Sequence, residues 1–200
     1  MKRFTLNARS TALIAVFAAL AIVLNAIRIP TIYWPNMVYT FAGLPVLVSF
    51  FLYGFKVGLM VQIIHIIGQE IFFPVGPAGV LTYPLGFFIF VFVFSGIYFA
   101  NRLTRHVNNS EKQIGEKKKI FFYTGFSVLF RGALMPIIDY AILYSIFLPL
   151  ALGIDIPQHY ILTLVPGFII YHVTTALYSV PIAYIIARKT SNYLKINPKF

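Results

Sequence analysis

Long apolar runs, separated by short segments that carry almost all of the charge, are the feature that most constrains this chain. Of its 200 residues, 60% are hydrophobic and 10% are charged, whereas a soluble domain carries roughly 25% charged residues. A soluble fold of this size cannot bury so much apolar surface. The runs are continuous and do not alternate, which favours helices over the strands of a membrane barrel. The sequence therefore predicts an all-α integral membrane protein.

Six transmembrane helices account for the apolar runs, in a single membrane domain over residues 1–200. The helices are predicted over residues 11–27, 37–53, 57–73, 81–100, 120–148 and 160–187. The first begins after basic residues like a signal peptide, but it is rather long for one and five more runs follow it. Pro136 is expected to kink the fifth, which is too long for one straight span. Residues 101–119 are predicted to form a mobile, cytosolic polar linker.

The positive charges predict the orientation of these helices. If both termini are cytoplasmic, all of the 16 Lys and Arg residues except Arg28 and Arg131 fall on the cytoplasmic side. This distribution satisfies the positive-inside rule. It also accounts for the net charge of +11 without nucleic-acid binding, since the charges lie at the ends of membrane spans.

A few polar side chains interrupt the apolar runs. Counted along the predicted helices at about 1.5 Å per residue, Gln69, Glu70, Asp139 and His172 fall in the outer half of the membrane. The loops of that side, among them the uncharged Gly/Pro segment 74–79, are expected to close over an outward-facing pocket. Gln62 and His65 lie deeper and are interpreted as structural.

Arg131 lies near the middle of the membrane and needs an acceptor for its buried charge. Glu70 and Asp139 are the carboxylates at membrane depth, and Asp139 is about 12 Å away along the same helix, too far for direct contact. His65 and His172 are more simply explained as core histidines, because no second His or carboxylate stands near either at metal-ligand spacing. Together with Glu70 and Asp139, His172 could instead pass protons.

The motifs of common enzymes are absent from the sequence. It contains no phosphate-binding G-x-x-x-x-G-K-[ST], no H-E-x-x-H and no G-x-S-x-G, so neither ATP hydrolysis nor standard hydrolase chemistry is indicated. It has no cysteine for a thiolate metal site. We expect a protein that is not an enzyme and that has no cofactor and no bound metal.

The chain resembles the substrate-binding S component of energy-coupling-factor (ECF) vitamin transporters over nearly its whole length. The resemblance is carried by ALIAVFAALAIVLNAI in the first helix with its A-x-x-x-A pairs, by GLPVLVSFFLYGFKVGLMVQII, and by GFIIYHVTTALYSVPIAYII. It implies a subunit that binds a water-soluble vitamin or related micronutrient from outside. A transmembrane coupling subunit and two ATPase subunits would be its partners.

The resemblance also implies roles for individual residues. Ala8, Ala12, Ala15 and Ala19 become the surface that docks on the coupling subunit. Periodicity alone favours the alternative that they pack inside the bundle. The pocket candidates are Trp34, Tyr39, Gln69, Glu70, Tyr83, Asp139, Tyr140 and His172. Trp34 could alternatively be an interfacial anchor. The chain begins Met1-Lys2 and lacks the Met-His start of the nickel and cobalt members, which argues against a metal substrate.

Two other functions remain open at the level of the sequence. One is a stand-alone proton-coupled transporter or channel that uses Glu70, Asp139 and His172. The other is a membrane enzyme acting on a lipid or isoprenoid.

Overall fold

The computed structural model of the chain describes residues 8–31, 38–74, 77–108, 115–141, 149, 153 and 157–195, with side chains at all of these except 9, 77–84, 107–108 and 158. Within these ranges the chain forms helices and one short hairpin. The main elements are α1 (Ala8–Leu24), β1 (Arg28–Pro30), β2 (Val38–Thr40), α2 (Gly43–Tyr53), α3 (Phe55–Phe72), α4 (Pro77–Asn108), α5 (Glu116–Ile138) and α6 (Gln158–Leu194).

Four of the described helices, α3 to α6, contain segments long and apolar enough to cross a membrane. Helices α1 and α2 are apolar but shorter. Large apolar side chains point outward on several helices, among them Val23, Ile71, Phe121 and Leu129. A bilayer solvates such side chains, whereas water does not. The chain is therefore a multi-pass membrane protein.

Helix α2 occupies the centre of the bundle. Every residue of Pro45–Leu52 is buried, as expected for a helix that is hydrophobic all round. Phe50 stacks on Phe94 of α4 with 4.2 Å between ring centroids, and Phe51 lies 6.0 Å from Tyr123 of α5. The 11 residues of α2 span about 16 Å, roughly half of the ~30 Å hydrocarbon core. About half of the membrane thickness at the centre of the bundle is therefore not occupied by α2.

The segment before α2 is a strand, which differs from the helix predicted from residue 37. β2 pairs antiparallel with β1, and Ile29 faces Tyr39 in the register. Valine, tyrosine and threonine in Val38–Thr40 favour a strand, and the pairing satisfies backbone groups that would otherwise stay unpaired at membrane depth. Helix α2 begins only at Gly43.

The predicted linker over residues 101–119 is largely helical, which corrects the prediction of a mobile polar segment. Helix α4 continues to Asn108, and α5 already begins at Glu116. Asn101 and Thr104 are buried, and the Tyr123 hydroxyl donates to Asn101 Oδ1 over 3.1 Å. Polar composition suggested a linker, but these side chains pack between α4 and α5.

Three other boundaries also differ from the prediction. Helix α4 begins at Pro77, inside the predicted Gly/Pro loop, and proline is well suited to the first position of a helix. Helix α6 runs to Leu194, beyond the predicted end at residue 187. Helix α5 begins at Glu116, before the predicted start at residue 120, and it contains Pro136. It passes into a π-helical turn over residues 139–141, and its predicted end at residue 148 lies outside the described residues.

Two glycines allow close approaches that the bundle requires. A Cβ at Gly96 of α4 would lie 2.7 Å from the Phe126 carbonyl oxygen of α5, so the two backbones touch at this point. Gly54 joins α2 to α3 with a φ of 92°, a conformation that side chains disfavour. The turn therefore reverses the chain without a longer loop.

Candidate functional site

A buried chain of hydrogen bonds joins α5 to α6 through three ionisable side chains. Arg131 Nε donates to His172 Nδ1 over 3.3 Å, and His172 Nε2 lies 2.7 Å from Asp139 Oδ2. All three residues are buried. The sequence put Asp139 and His172 in the same outer half of the membrane but showed no carboxylate close to His172 along the chain, because α6 contributes the histidine and α5 the acid.

The direction of the hydrogen bonds defines the tautomer of His172. The guanidinium of Arg131 can only donate, so Nδ1 of His172 must accept. The ring proton then resides on Nε2 and is donated to the Asp139 carboxylate. A neutral histidine thus connects an arginine to an aspartate that lies eight residues further along the same helix, about 12 Å in an α-helix.

The backbone of α5 is locally altered where Asp139 projects. The Asp139 N–H contacts the carbonyl oxygens of both Met135 and Pro136, and the π-helical turn begins at this residue. Such turns rotate the side chains that follow relative to a regular helix. Tyr140, another predicted pocket residue, lies in this turn and is half-buried.

The β1–β2 hairpin docks on the same part of α6. The Tyr39 hydroxyl and Thr174 Oγ1 form a hydrogen bond of 2.8 Å. The ring centroids of Tyr39 and Tyr171 lie 5.3 Å apart. The Tyr171 hydroxyl donates to the Val38 carbonyl oxygen over 3.2 Å. The Tyr178 hydroxyl donates to the carbonyl oxygen of Thr40, over 3.0 Å. Strand β2 is therefore held between β1 on one side and α6 on the other.

Tyr171 connects the hairpin to the buried ionisable chain. Its ring lies 5.9 Å from Arg131 Cζ and 5.1 Å from the ring of His172. Beside Tyr171, an apolar groove of about 460 Å³ lies between the hairpin and α6. Its walls are formed by Ile29, Tyr39, Thr40, Phe41, Thr174, Tyr178 and Ile182.

We call the group Tyr39, Arg131, Asp139, Tyr171 and His172 the polar cluster. It brings together three of the predicted pocket residues, Tyr39, Asp139 and His172. Tyr171 and Thr174 were not singled out from the sequence. The signal that could have found them is the spacing of 171, 174 and 178, which places three hydroxyl groups on one face of a helix.

The predicted pocket residues of α3 lie elsewhere. Gln69 and Glu70 are half-buried at the C-terminal end of α3, and no contact joins either side chain to the polar cluster among the residues that the structure describes. Glu70 Oε2 is buried and has no hydrogen-bond partner among the described residues. Trp34 lies outside the described residues, and the side chain of Tyr83 is likewise not among those described.

Gln62 and His65 link α3 to α4. His65 Nδ1 lies 3.3 Å from Gln62 Oε1, and Gln62 Nε2 donates to the Gly86 carbonyl oxygen over 3.2 Å. This arrangement agrees with a structural interpretation of both side chains. The described residues contain no group of three or more His, Cys, Asp or Glu side chains that could hold a metal ion.

The alanine stripe of α1, defined by Ala8, Ala12, Ala15 and Ala19, faces outward. All four residues are exposed, whereas Ile14, Ala18 and Ala21 of the same helix are buried. The alternative that the stripe packs inside the bundle is therefore wrong. The stripe leaves a smooth surface where another backbone could approach closely.

Comparison with known proteins defines the class of fold. A solved structure, described as the structure and mechanism of the S component of a bacterial ECF transporter, superposes with a TM-score of 0.67. The match covers 94% of this chain and 98% of that one, at 19% sequence identity. No protein-family model and no curated protein matches the sequence. The chain thus has the fold of an ECF transporter S component.

Proposed function

We propose that the protein is a membrane-embedded substrate-binding subunit for the uptake of a small solute, of the class of water-soluble vitamins and related micronutrients. The observation that carries this proposal is the agreement in fold with an ECF transporter S component over 94% of the chain.

The polar cluster is the proposed core of the substrate site. Arg131, the buried cation of the cluster, donates through Nε to His172, and its two Nη groups donate to no other described residue. Tyr39 and Tyr171 add aromatic faces. Buried donors beside aromatic rings are typical of sites for ring-containing, polar ligands. Trp34, Gln69, Glu70, Tyr83 and Tyr140 remain proposed contributors to the wall or cover of this site.

The orientation of the subunit follows from the charge distribution. We propose six membrane crossings with both termini in the cytoplasm, because this arrangement satisfies the positive-inside rule. The polar cluster then lies in the outer half of the cell membrane, beyond the N-terminal end of the short helix α2. The hairpin covers that end, and the site opens outward.

The proposal includes partner subunits. We expect uptake to require a transmembrane coupling subunit and two ATPase subunits, since the chain itself contains no nucleotide-binding motif. The exposed alanine stripe is the proposed docking surface for the coupling subunit. No catalytic role is assigned to the chain, and binding is its proposed task.

The decisive experiment uses the purified chain. We expect mass spectrometry of the denatured protein to release a stoichiometric, ring-containing micronutrient. Liposomes that contain the chain alone should not accumulate this compound, whereas liposomes with the coupling and ATPase subunits and ATP should. Catalytic transport by the chain alone would contradict the proposal.

A second candidate function draws on the contact between Asp139 and His172. A carboxylate 2.7 Å from a histidine at membrane depth is also the kind of pair that relays protons. A stand-alone proton-coupled carrier would transport solute in liposomes without partners. Its transport would follow an imposed pH gradient and would be lost in Asp139→Asn.

A further inference from the structure

A second apolar groove lies between the start of α3 and the facing surfaces of α4 and α5. It encloses about 440 Å³ and is lined by Phe55, Phe94, Ser95, Tyr98, Phe99 and Phe130. This volume falls within the range of about 300–1,000 Å³ that ligand sites occupy. Its walls include Tyr98 and Phe99, both exposed, so the groove opens on the outside of the bundle.

The packing of α4 and α5 shows what lies at the end of this groove. The two helices are antiparallel, because Ser127 donates to the Val93 carbonyl oxygen while Tyr123 donates to Asn101. Moving along α4 toward its C-terminus therefore means moving along α5 toward its N-terminus. In this direction lie Arg102, about one turn beyond Phe99 on α4, and Lys119, about three turns before Phe130 on α5.

Both basic residues share a helix face with the walls of the groove. Arg102 follows Ser95 by seven residues and Phe99 by three, so the three side chains lie on one face of α4. Lys119 precedes Phe130 by 11 residues, which is close to three full turns and again one face of α5. Phe99 and Phe130 are 6.1 Å apart, which confirms that these two faces meet.

The charge at this end is not balanced within the described residues. Neither Arg102 nor Lys119 forms an ion pair there, and Glu116, an acidic residue of the same end of α5, is engaged by Arg188 of α6 over 2.8 Å. Arg102 is exposed, and Lys119 is half-buried. An apolar, aromatic groove near two cations that no acidic group among the described residues compensates is complementary to a molecule with an apolar tail and an anionic head.

We propose that this groove binds an anionic phospholipid of the adjoining leaflet. One acyl chain lies against Phe94, Phe99 and Phe130, and the phosphate-containing headgroup is bound by Arg102 and Lys119. Tyr98 lies between the two regions, as aromatic residues with a polar tip do at membrane interfaces. The site is separate from the polar cluster and does not depend on the identity of the transported solute.

Native mass spectrometry of the purified chain tests this site. The protein is titrated with phosphatidylglycerol and, separately, with phosphatidylcholine carrying the same acyl chains. We expect one phosphatidylglycerol to bind at concentrations at which phosphatidylcholine does not. In Arg102→Gln/Lys119→Gln the affinity for phosphatidylglycerol should fall about 25-fold, from roughly five-fold for each charge lost, while phosphatidylcholine binding stays unchanged.

Two further variants separate the site from general attraction. Lys117→Gln/Lys189→Gln removes two exposed charges at the same end of the bundle, away from the groove, and should keep the affinity of the wild type. Ser95→Leu fills the groove with the charges intact and should lower the affinity for both lipids. Equal binding of the two lipids, an equal loss in the control variant, or no loss in Ser95→Leu would overturn the proposal.

The lipid preference can also be tested on the unmodified chain. Phosphatidylglycerol should raise the midpoint of thermal unfolding above the value in phosphatidylcholine, because a ligand that binds the native state stabilises it. If the Arg102→Gln/Lys119→Gln variant does not fold, this measurement decides whether the native protein prefers phosphatidylglycerol. Identical midpoints in the two lipids would then count against the site.

Discussion

Asp139 Oδ2 lies 2.7 Å from His172 Nε2, and this contact completes a buried chain that begins at Arg131. The three groups satisfy one another across two helices: the guanidinium donates to the ring, and the ring donates to the carboxylate. A buried charge whose partner is removed is costly. His172 is therefore the residue on which both other members depend.

Replacement of His172 by alanine should destabilise the protein by about 3–5 kcal/mol, because it leaves the buried charges of Arg131 and Asp139 without the group that bridges them. It should also abolish binding of the solute that copurifies with the wild type. Chemical denaturation in mild detergent and mass spectrometric quantification of the solute measure the two effects. His159→Ala, at an exposed position of α6, should change stability by less than about 0.5 kcal/mol. Equal stability of the two variants would show that the chain of hydrogen bonds is not required.

Asp139→Asn separates charge from hydrogen bonding. The asparagine oxygen can still accept the proton of His172, so this variant should be more stable than His172→Ala. In this variant, the positive charge of Arg131 is no longer balanced by a carboxylate on the other side of His172. If the stabilities of Asp139→Asn and His172→Ala coincide, the carboxylate charge and not the bridge is what matters.

The attachment of the hairpin to α6 can be weakened one hydroxyl at a time. Tyr178→Phe removes the bond to the Thr40 carbonyl oxygen and leaves the ring packing in place. We expect a loss of about 0.5–1.5 kcal/mol and faster amide hydrogen exchange in Val38–Thr40. Tyr193→Phe removes a hydroxyl from a residue that is 87% exposed, and it should leave both quantities unchanged. Unaltered exchange in Tyr178→Phe would mean that this hydroxyl does not hold the strand.

The close approach of α4 and α5 at Gly96 predicts that alanine will affect stability differently at Gly96 and at Gly125. Gly96→Ala places a methyl group against the backbone of Phe126, and overpacking of this kind costs about 1–3 kcal/mol. A Cβ at Gly125 meets nothing within 4 Å, so Gly125→Ala should be neutral or stabilise the helix by up to about 1 kcal/mol. Thermal unfolding of the two variants measures the difference. A stabilised Gly96→Ala would show that the helices can separate without loss.

The alanine stripe provides a test that rests on the proposed function. Ala15→Leu/Ala19→Leu adds bulk to an exposed surface and should prevent association with the coupling subunit while solute binding is retained. Leu20→Phe adds bulk to another exposed part of α1 and should leave association intact. Copurification with a tagged coupling subunit gives the readout. Normal association of the double variant would exclude the stripe from the interface.

The positions of the apolar helices could be predicted because a membrane span needs continuous apolar residues, and their periodicity is local. The hairpin was missed because its strands are three residues long, so that pairing with a distant segment and not local propensity decides the structure. The linker was misjudged for a similar reason. Asn101 and Thr104 are polar, yet α5 covers them.

The candidate site shows the same division. Asp139 and His172 stood out as polar residues in apolar runs, which is a local signal. That they contact each other, and that both depend on Arg131, follows from the packing of α5 against α6.

By itself, the sequence determined that this chain is a mainly helical membrane protein and which few residues carry polar groups within the apolar runs, because hydrophobicity and charge act on each segment separately. Only the tertiary structure decided which of those groups meet. Residues 131, 139 and 172 come together through the crossing of two helices, and Tyr39 joins them through a hairpin whose backbone is bonded to α6. Contacts between segments far apart in the chain depend on how all the helices pack at once, and no single stretch of sequence contains that information.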